Sequence, residues 1–276
     1  MKLIFFFKLF PIIFLLVSCS NEKVKKSVVI EKSLDLQVQE AYQEGKRSLE
    51  AGDVLFAAKK FNEAEILFPQ SPLAPKSALM AAYSYYVQDY YADAISELNR
   101  FKKVYPQHSS LDYANYLLGL CYYEQIVDEK KDLDSILKAK KQFTFLINNY
   151  PNTEYAIDAE FKIDLINDTL AAKEMYIGRY YFQRKKWISA INRFRKVIDE
   201  YDRTIYVQEA LHRLVEVHYI IGLKDEAKKF ANLLGYNYKS SQWYEMSYTV
   251  FNQSYQKEKI KKNKRSFLNK AKSIFD

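Results

Sequence analysis

Cys19 is the residue whose sequence surroundings most clearly indicate chemistry. It follows a stretch with two lysines near its start and an apolar run over residues 9–17. That pattern is typical of a secretory signal, and it is too short to span a bilayer stably. Residues 16–19, LVSC, match the bacterial lipobox, in which signal cleavage leaves an acylated cysteine as the new N-terminus. We therefore predict a signal peptide over 1–18 and lipidation at Cys19.

The residue after this cysteine indicates which membrane would hold the lipid. The motif resembles that of bacterial lipoproteins, in which a serine such as Ser20, rather than an aspartate, favours the outer membrane. Several acyl chains on one cysteine make a firm anchor where a single chain would be marginal. Residues 20–34 have no periodic apolar face, so we interpret 19–34 as a lipidated N-terminus and tether. The alternative is an ordinary signal peptide with an incidental cysteine.

No other residues have the spacing of a known catalytic or metal site. The sequence lacks a Gly-rich phosphate loop and the HExxH, GxSxG and CxxC motifs. His212 and His218 are six residues apart, which places them on different faces of a helix. Cys121 lies in an apolar run and is expected in the core. We therefore predict no enzymatic activity, no cofactor and no metal.

The elements that must position these residues follow from a repeat in residues 45–69. With Gly45 at position 8 of a 34-residue helix-turn-helix unit, Ala57 falls at position 20, Phe61 at 24 and Pro69 at 32. A tetratricopeptide repeat needs small, aromatic and helix-ending residues at these positions. The small residues let the two helices approach closely, the phenylalanine fills the space between repeats, and the proline stops the second helix.

The same stop signal recurs at Pro106, Pro151 and Asp202, which lie 37, 45 and 51 residues after the preceding stop. The extra length falls in a charged loop around 127–134 and in a long helix that starts near Thr153, which Asn152 or Thr153 can cap. Insertions of this kind belong on loops and helix ends, so the repeat pattern is preserved.

Local signals indicate two further boundaries. Ser109 precedes Asp112 by three residues, as in a capping box. A weaker fifth unit has its helices over 206–221 and 224–234, joined by a turn at Gly222. We expect the third repeat to begin at the capping box and the array to end with the fifth unit.

Composition and pattern together predict an all-α fold. The chain has six glycines, six prolines and 49% hydrophobic residues, with long apolar patterns of helical period. We predict a tetratricopeptide-repeat superhelix, an α-solenoid of about five repeats, over 35–240. A solenoid needs its last repeat covered, and residues 241–276 would supply a capping helix and a basic tail. The aromatic residues at helical spacing in that segment are Trp243, Tyr244, Tyr248, Phe251 and Tyr255.

The net charge of +8 comes mainly from the two ends of the chain. Residues 257–276, the basic tail, hold eight lysines and arginines against Glu258 and Asp276, a balance of +6, and the signal adds two lysines. The remaining body is close to neutral, which argues against a nucleic-acid-binding groove. The tail is either a solvated end or a contact for anionic lipid head groups or an acidic partner surface.

Three segments, residues 108–120, 143–170 and 179–194, contain the strings DYANYLLGL, YPNTEYAIDA and WISAINR. Taken together, these strings resemble the BamD family, the tetratricopeptide lipoproteins of the outer-membrane β-barrel assembly machine. The resemblance implies a scaffold held by its lipid at the outer membrane and facing the periplasm. It also implies as partners the periplasmic domains of BamA, other lipoproteins of the machine, and unfolded outer-membrane β-barrel proteins.

The resemblance also suggests where two partners would bind. Arg193 matches an arginine in the C-terminal repeats, which in this family dock on BamA. It directly precedes the inter-repeat Phe194, so its side chain should point away from the packed seam. The N-terminal repeats of the family are thought to receive the C-terminal targeting sequence of the barrel protein.

A substrate groove can be placed from the repeat register. The concave wall of such an array is built from positions 2, 5, 9 and 12 of the first helix of each repeat. In the first two repeats these positions include Tyr42, Lys46, Tyr83 and Tyr86. Aromatic faces and a cation suit an extended peptide that ends in an aromatic residue and a carboxylate. The alternative is that these tyrosines only pack between helices.

Two other functions are alternatives to an assembly factor. One is another tetratricopeptide lipoprotein, such as a pilus or secretin assembly factor, and the long helix of the fourth repeat argues against it. The other is a hydrolase or peptidoglycan-active enzyme with a helical accessory region. That reading needs a convergent polar cluster, and the sequence shows none.

Replacement of Cys19 by alanine tests the predicted anchor. Because the thiol is the proposed acylation site, Cys19→Ala should release soluble or unprocessed protein from the outer-membrane fraction. Membrane fractionation and mass spectrometry of the mature N-terminus measure this. Unchanged fractionation, with no lipid on the mature protein, would contradict the prediction.

Overall fold

The computed structural model of the chain describes residues 32–126 and 133–252, which form eleven α-helices and no strand. Within those ranges the all-α prediction is confirmed. The predicted lipidation site Cys19, most of the charged loop and the basic tail lie outside the described residues. In chain order the helices are α1 (Leu34–Glu50), α2 (Val54–Leu67), α3 (Leu73–Tyr86), α4 (Tyr91–Val104), α5 (Leu111–Tyr123), α6 (Asp134–Asn149), α7 (Glu154–Gln183), α8 (Trp187–Glu200), α9 (Val207–Ile220), α10 (Lys224–Asn237) and α11 (Gln242–Phe251).

The first ten helices form five helix-turn-helix repeats, since each odd-numbered helix packs on the even-numbered helix that follows it. The second helix of each of the first four repeats ends two residues before its predicted stop, at Pro69, Pro106, Pro151 and Asp202. Helix α11 packs on α9 and α10 and covers the end of the array. The predicted superhelix with a capping helix is therefore confirmed.

Two predicted helix caps have different outcomes. The Thr153 hydroxyl accepts a hydrogen bond from the Ala156 N–H at 3.2 Å, which confirms that cap. The capping box at Ser109 is wrong, because α5 begins one residue later, after Ser110. The Ser110 N–H instead donates to His108 Nδ1 at 3.1 Å, so the histidine ring orders this turn.

A glycine facing a phenylalanine sets the closest approach between the two helices in three of the five repeats. A Cβ added to any of these glycines would lie 2.4–2.9 Å from the nearest ring atom, well inside normal contact distance. All three rings are fully buried. The second repeat has Ala82 and Leu98 at the corresponding positions, and both are buried in one cluster. The glycine pairs are Gly45 with Phe61, Gly119 with Phe143, and Gly178 with Phe194.

Gly119→Ala should destabilise the fold, because the new methyl group would meet the Phe143 ring at 2.4 Å. Alanine favours a helix over glycine by about 1 kcal/mol, but overpacking a core contact costs about 1–3 kcal/mol. The melting temperature measured by circular dichroism should therefore fall.

A double variant separates this contact from a general effect of substitution. Adding Phe143→Leu to Gly119→Ala reproduces the alanine–leucine combination found in the second repeat and should recover part of the lost stability. If the loss in the double variant equals the sum of the two single losses, the glycine and the ring do not limit each other.

Candidate functional site

Tyr42, the first predicted groove residue, is buried with 6% of its surface exposed. Its ring packs edge-on against Phe61, with centroids 5.4 Å apart. This contrasts with the expectation that Tyr42 presents its ring on an open wall, because close packing inside the first repeat covers it. Lys46 on the same helix is exposed, and Lys76 Nζ from α3 lies 5.6 Å from the centre of the Tyr42 ring. Two cations therefore lie on the first helices of the first two repeats.

Tyr83 and Tyr86 are half-buried near the end of α3. Their ring centroids are 6.4 Å apart, and Tyr86 also lies 6.1 Å from Tyr91. Burial, followed by the charge of Glu124, raises the pKa of the Tyr86 hydroxyl above its ordinary value. This phenol therefore stays neutral at physiological pH and can donate a hydrogen bond.

Three tyrosines of the next repeats extend this aromatic surface. Tyr113 lies 5.4 Å from Tyr155, and Tyr116 stacks on Tyr155 at 5.2 Å between centroids. The Tyr116 hydroxyl donates to Asp158 Oδ2 at 2.7 Å. Burial is the main cause that raises the pKa of Tyr113, and the neighbouring Tyr83 adds to it. Tyr83, Tyr86 and Tyr113 pack against one buried cluster, so the tyrosines follow the first helices of three repeats, α3, α5 and α7. We name the set the tyrosine wall, made up of Tyr83, Tyr86, Tyr113, Tyr116 and Tyr155.

Tyr113 and Tyr116 were not predicted as groove residues, although the repeat register could have identified them. Counting from Gly119 as position 8 places Tyr113 and Tyr116 at positions 2 and 5, the same register that placed Tyr83. Counting back from the stop at Pro151 hides this, because the loop at 127–134 lengthens the repeat. Tyr155 has no such signal, since it lies on the extra length of α7.

Arg193 forms an ion pair with another residue of the same chain. Its Nη1 donates to Glu174 Oε2 at 2.9 Å, and Lys196 Nζ donates to the other carboxylate oxygen at 2.9 Å. Burial acts to raise the pKa of Glu174, but these two cations outweigh it and hold the pKa below its ordinary value. The side chain of Arg193 is 38% exposed and lines a cavity of about 290 Å³ with Tyr181 and Lys196. The Arg193 guanidinium, which was predicted to point outward, is thus partly exposed and also hydrogen-bonded to Glu174.

A second cationic group lies where α7 meets α9. Arg179 makes two hydrogen bonds to the Glu209 carboxylate, at 2.8 and 2.5 Å, and Arg213 approaches the same carboxylate at 3.4 Å. Burial acts to raise the pKa of Glu209, and the two arginines outweigh it and lower the pKa. Arg179, Arg213 and Phe182 line a cavity of about 180 Å³. The C-terminal repeats therefore carry partly exposed cations on buried carboxylates.

One polar cluster resembles a hydrolase triad in composition but is closed to substrate. His212 Nδ1 lies 2.8 Å from Ser247 Oγ, and His212 Nε2 lies 3.5 Å from Glu216 Oε2. Both His212 and Ser247 are only 1% exposed, and the imidazole packs against Trp243 at 5.4 Å. The cluster fastens α11 onto α9, and no substrate can reach its hydroxyl.

Neither Cys121 nor any group of possible metal ligands in the described part of the chain has the surroundings that a reactive site needs. Cys121 is fully buried, and burial raises the pKa of its thiol to about 12, so it stays a neutral core residue. Within 32–126 and 133–252, no group of three or more histidine, cysteine or acidic side chains is placed to hold a metal ion. None of the helices in those ranges is both long and apolar enough to cross a membrane.

Comparison with known proteins identifies relatives of most of the helical array. The family model described as "YfiO: Outer membrane lipoprotein" matches residues 34–233. The outer membrane protein assembly factor BamD of Caulobacter vibrioides is 40% identical over 234 residues, which cover 85% of this chain and 76% of that protein. BamD of Rickettsia prowazekii is 43% identical over 209 residues, covering 76% of this chain and 83% of that protein.

More distant likenesses were found as well. The BamD of Neisseria meningitidis serogroup A is 31% identical over 217 residues, covering 75% of this chain and 81% of that protein. Among solved structures, the TPR2AB domain of yeast Sti1 has a TM-score of 0.43 at 15% identity and covers 78% of this chain and 83% of that chain. The structural likeness is too slight to bear on function. The family match and the identities to the bacterial relatives are decisive, and the chain belongs to the BamD family of outer-membrane lipoproteins.

Proposed function

We propose that this chain is an outer-membrane protein assembly factor that acts as a scaffold without enzymatic activity. A lipid on Cys19 would hold it to the outer membrane, facing the periplasm. The names of its relatives and the LVSC motif support this proposal. The observation that carries the substrate role is the tyrosine wall, whose partly exposed rings follow one another across three repeats. Other lipoproteins of the same machine are expected partners.

The tyrosine wall suits the C-terminal peptide of an unfolded β-barrel protein. An extended chain can lay aromatic and apolar side chains on tyrosine faces while its backbone groups bond to the neutral hydroxyls. Lys46 and Lys76 lie near the start of the array and can pair with a terminal carboxylate. Tyr42 would support this end of the groove from the core and not by direct contact.

The C-terminal repeats suit an acidic segment of BamA. Arg193 and Lys196 share Glu174, and Arg179 and Arg213 share Glu209, so each buried carboxylate is bordered by two cations. A partner carboxylate would find these guanidiniums already oriented, which reduces the entropy lost on binding. We propose that Arg193 takes part in this contact.

Tyr83→Ala and Tyr86→Ala test the substrate role. If the rings contact the peptide, each change should weaken binding several-fold, a loss on the order of 1 kcal/mol, with a modest effect on melting temperature. Fluorescence anisotropy with a labelled C-terminal barrel peptide, beside thermal unfolding of the same samples, measures both effects.

Tyr85 on the same helix provides the matched control. Its ring packs against the buried cluster that contains Tyr42 and Phe61, and it lines a separate cavity with Ile66. Tyr85→Ala should therefore lower stability and spare peptide binding. If Tyr83→Ala and Tyr86→Ala behave as this control does, the two tyrosines are packing residues and the peptide binds elsewhere.

Arg193→Leu tests the proposed BamA contact. Loss of one charge-assisted hydrogen bond should weaken binding of the purified BamA periplasmic domains by roughly tenfold, with unchanged helical content. Binding is measured by calorimetry or interferometry, and helical content by circular dichroism.

Lys196→Met is the control for the ion pair inside the chain. This change also removes one hydrogen bond from Glu174 but leaves Arg193 in place, so BamA binding should fall clearly less than it does with Arg193→Leu. Equal losses from both variants would mean that Arg193 acts only by holding Glu174, and the contact would then be rejected.

A further inference from the structure

An apolar stripe on α7 is left uncovered by every helix in the described part of the chain. Ile157, Phe161 and Leu165 are 58%, 65% and 52% exposed. Their spacing of four residues places them in one row along the helix. The opposite face of α7 is buried in the core through Ala159 and Ile166. Two and a half turns of a helix thus expose large apolar side chains in a row, which marks a docking face.

The stripe is bordered by acidic side chains. Asp164 and Asp168 lie on the same helix, and they line a cavity of about 120 Å³ together with Glu200 at the end of α8 and with Asp202 and Arg203 in the turn that follows. Glu160 on α7 is also exposed beside the stripe. These acids outnumber the one arginine by five to one, so a covering segment that is both apolar and basic would suit this face.

We infer that this face binds the chain's own basic tail, residues 257–276. The tail carries eight lysines and arginines against two acids, a charge opposite to that of the border. Its apolar residues Phe267 and Leu268 recur seven positions later as Ile274 and Phe275, the spacing of one helix face. The tail therefore has both properties that the stripe and its border require.

The chain is long enough for this contact. Helix α11 runs in the same direction as α9, because Ser247 meets His212 and Phe251 meets Tyr219 near the other end of α9. The 14 residues of α9 measure about 20 Å, so the end of α11 lies about that far from the turn between α8 and α9, which lines the cavity beside the stripe. Ten extended residues after Asn252 cover roughly 33 Å, which leaves residues 263–276 to dock.

A photo-crosslinking amino acid in place of Phe161 tests the contact in the full-length lipoprotein purified in detergent. Irradiation should give crosslinks within one chain between position 161 and residues 257–276, identified by mass spectrometry. The control is the same amino acid in place of Ile66, a more exposed apolar residue on α2, which should not crosslink to the tail. Equal crosslinking from both positions, or crosslinks from 161 only to a second chain or to lipid, would overturn the inference.

Charge reversal tests the acidic border. Asp164→Lys combined with Asp168→Lys should lower the yield of the crosslink from position 161 roughly fivefold, because two attractions become repulsions. Adding Lys264→Glu and Arg265→Glu should restore it, whereas Glu50→Lys on α1 should have no effect. An unchanged crosslink yield after charge reversal at 164 and 168 would contradict the inference, provided circular dichroism shows an intact fold. No BamA or barrel peptide is present, so the result is independent of the proposed function.

Discussion

In three of the five repeats, the close approach of the two helices depends on a backbone without a Cβ facing an aromatic ring. Where Gly45, Gly119 or Gly178 meets its phenylalanine, the ring occupies the space that a methyl group would take. The rings are fully buried, so each contact combines hydrophobic burial with a fixed distance between the helix axes. The first helices of the third and fourth repeats also meet, where Tyr113 and Tyr116 of α5 contact Tyr155 of α7.

Three buried glutamates fix how helices are placed relative to one another, Glu65 and Glu209 between repeats and Glu174 within the fourth repeat. Glu65, Glu174 and Glu209 have side chains only 8–10% exposed, and each receives hydrogen bonds from an arginine on a neighbouring helix. A buried carboxylate is costly unless it is paired, so each pair favours one arrangement of its helices over its alternatives. A scaffold that holds a peptide groove and a partner surface at a set separation needs this kind of fixed geometry.

Most of the fold could be predicted from local sequence, whereas most of the site depends on contacts between distant residues. The stops at Pro69, Pro106 and Pro151 are local backbone effects, and they located the helix ends to within two residues. The burial of Tyr42 depends on how closely Phe61 packs against it, and the pairing of Arg193 depends on Glu174, 19 residues earlier. Neither contact follows from helical periodicity, because periodicity gives a face and not its neighbour.

The proposal that this chain is a scaffold of the outer-membrane assembly machine is tested most directly by asking what it binds in its own membrane. The full-length lipoprotein, carrying an affinity tag, would be isolated from solubilised outer membrane and its partners identified and quantified by mass spectrometry. We expect BamA in amounts comparable to the tagged chain, together with unfolded barrel proteins at lower levels. Recovery of the lipoprotein without BamA, or with the components of a pilus or secretin machine in its place, would contradict the proposed function.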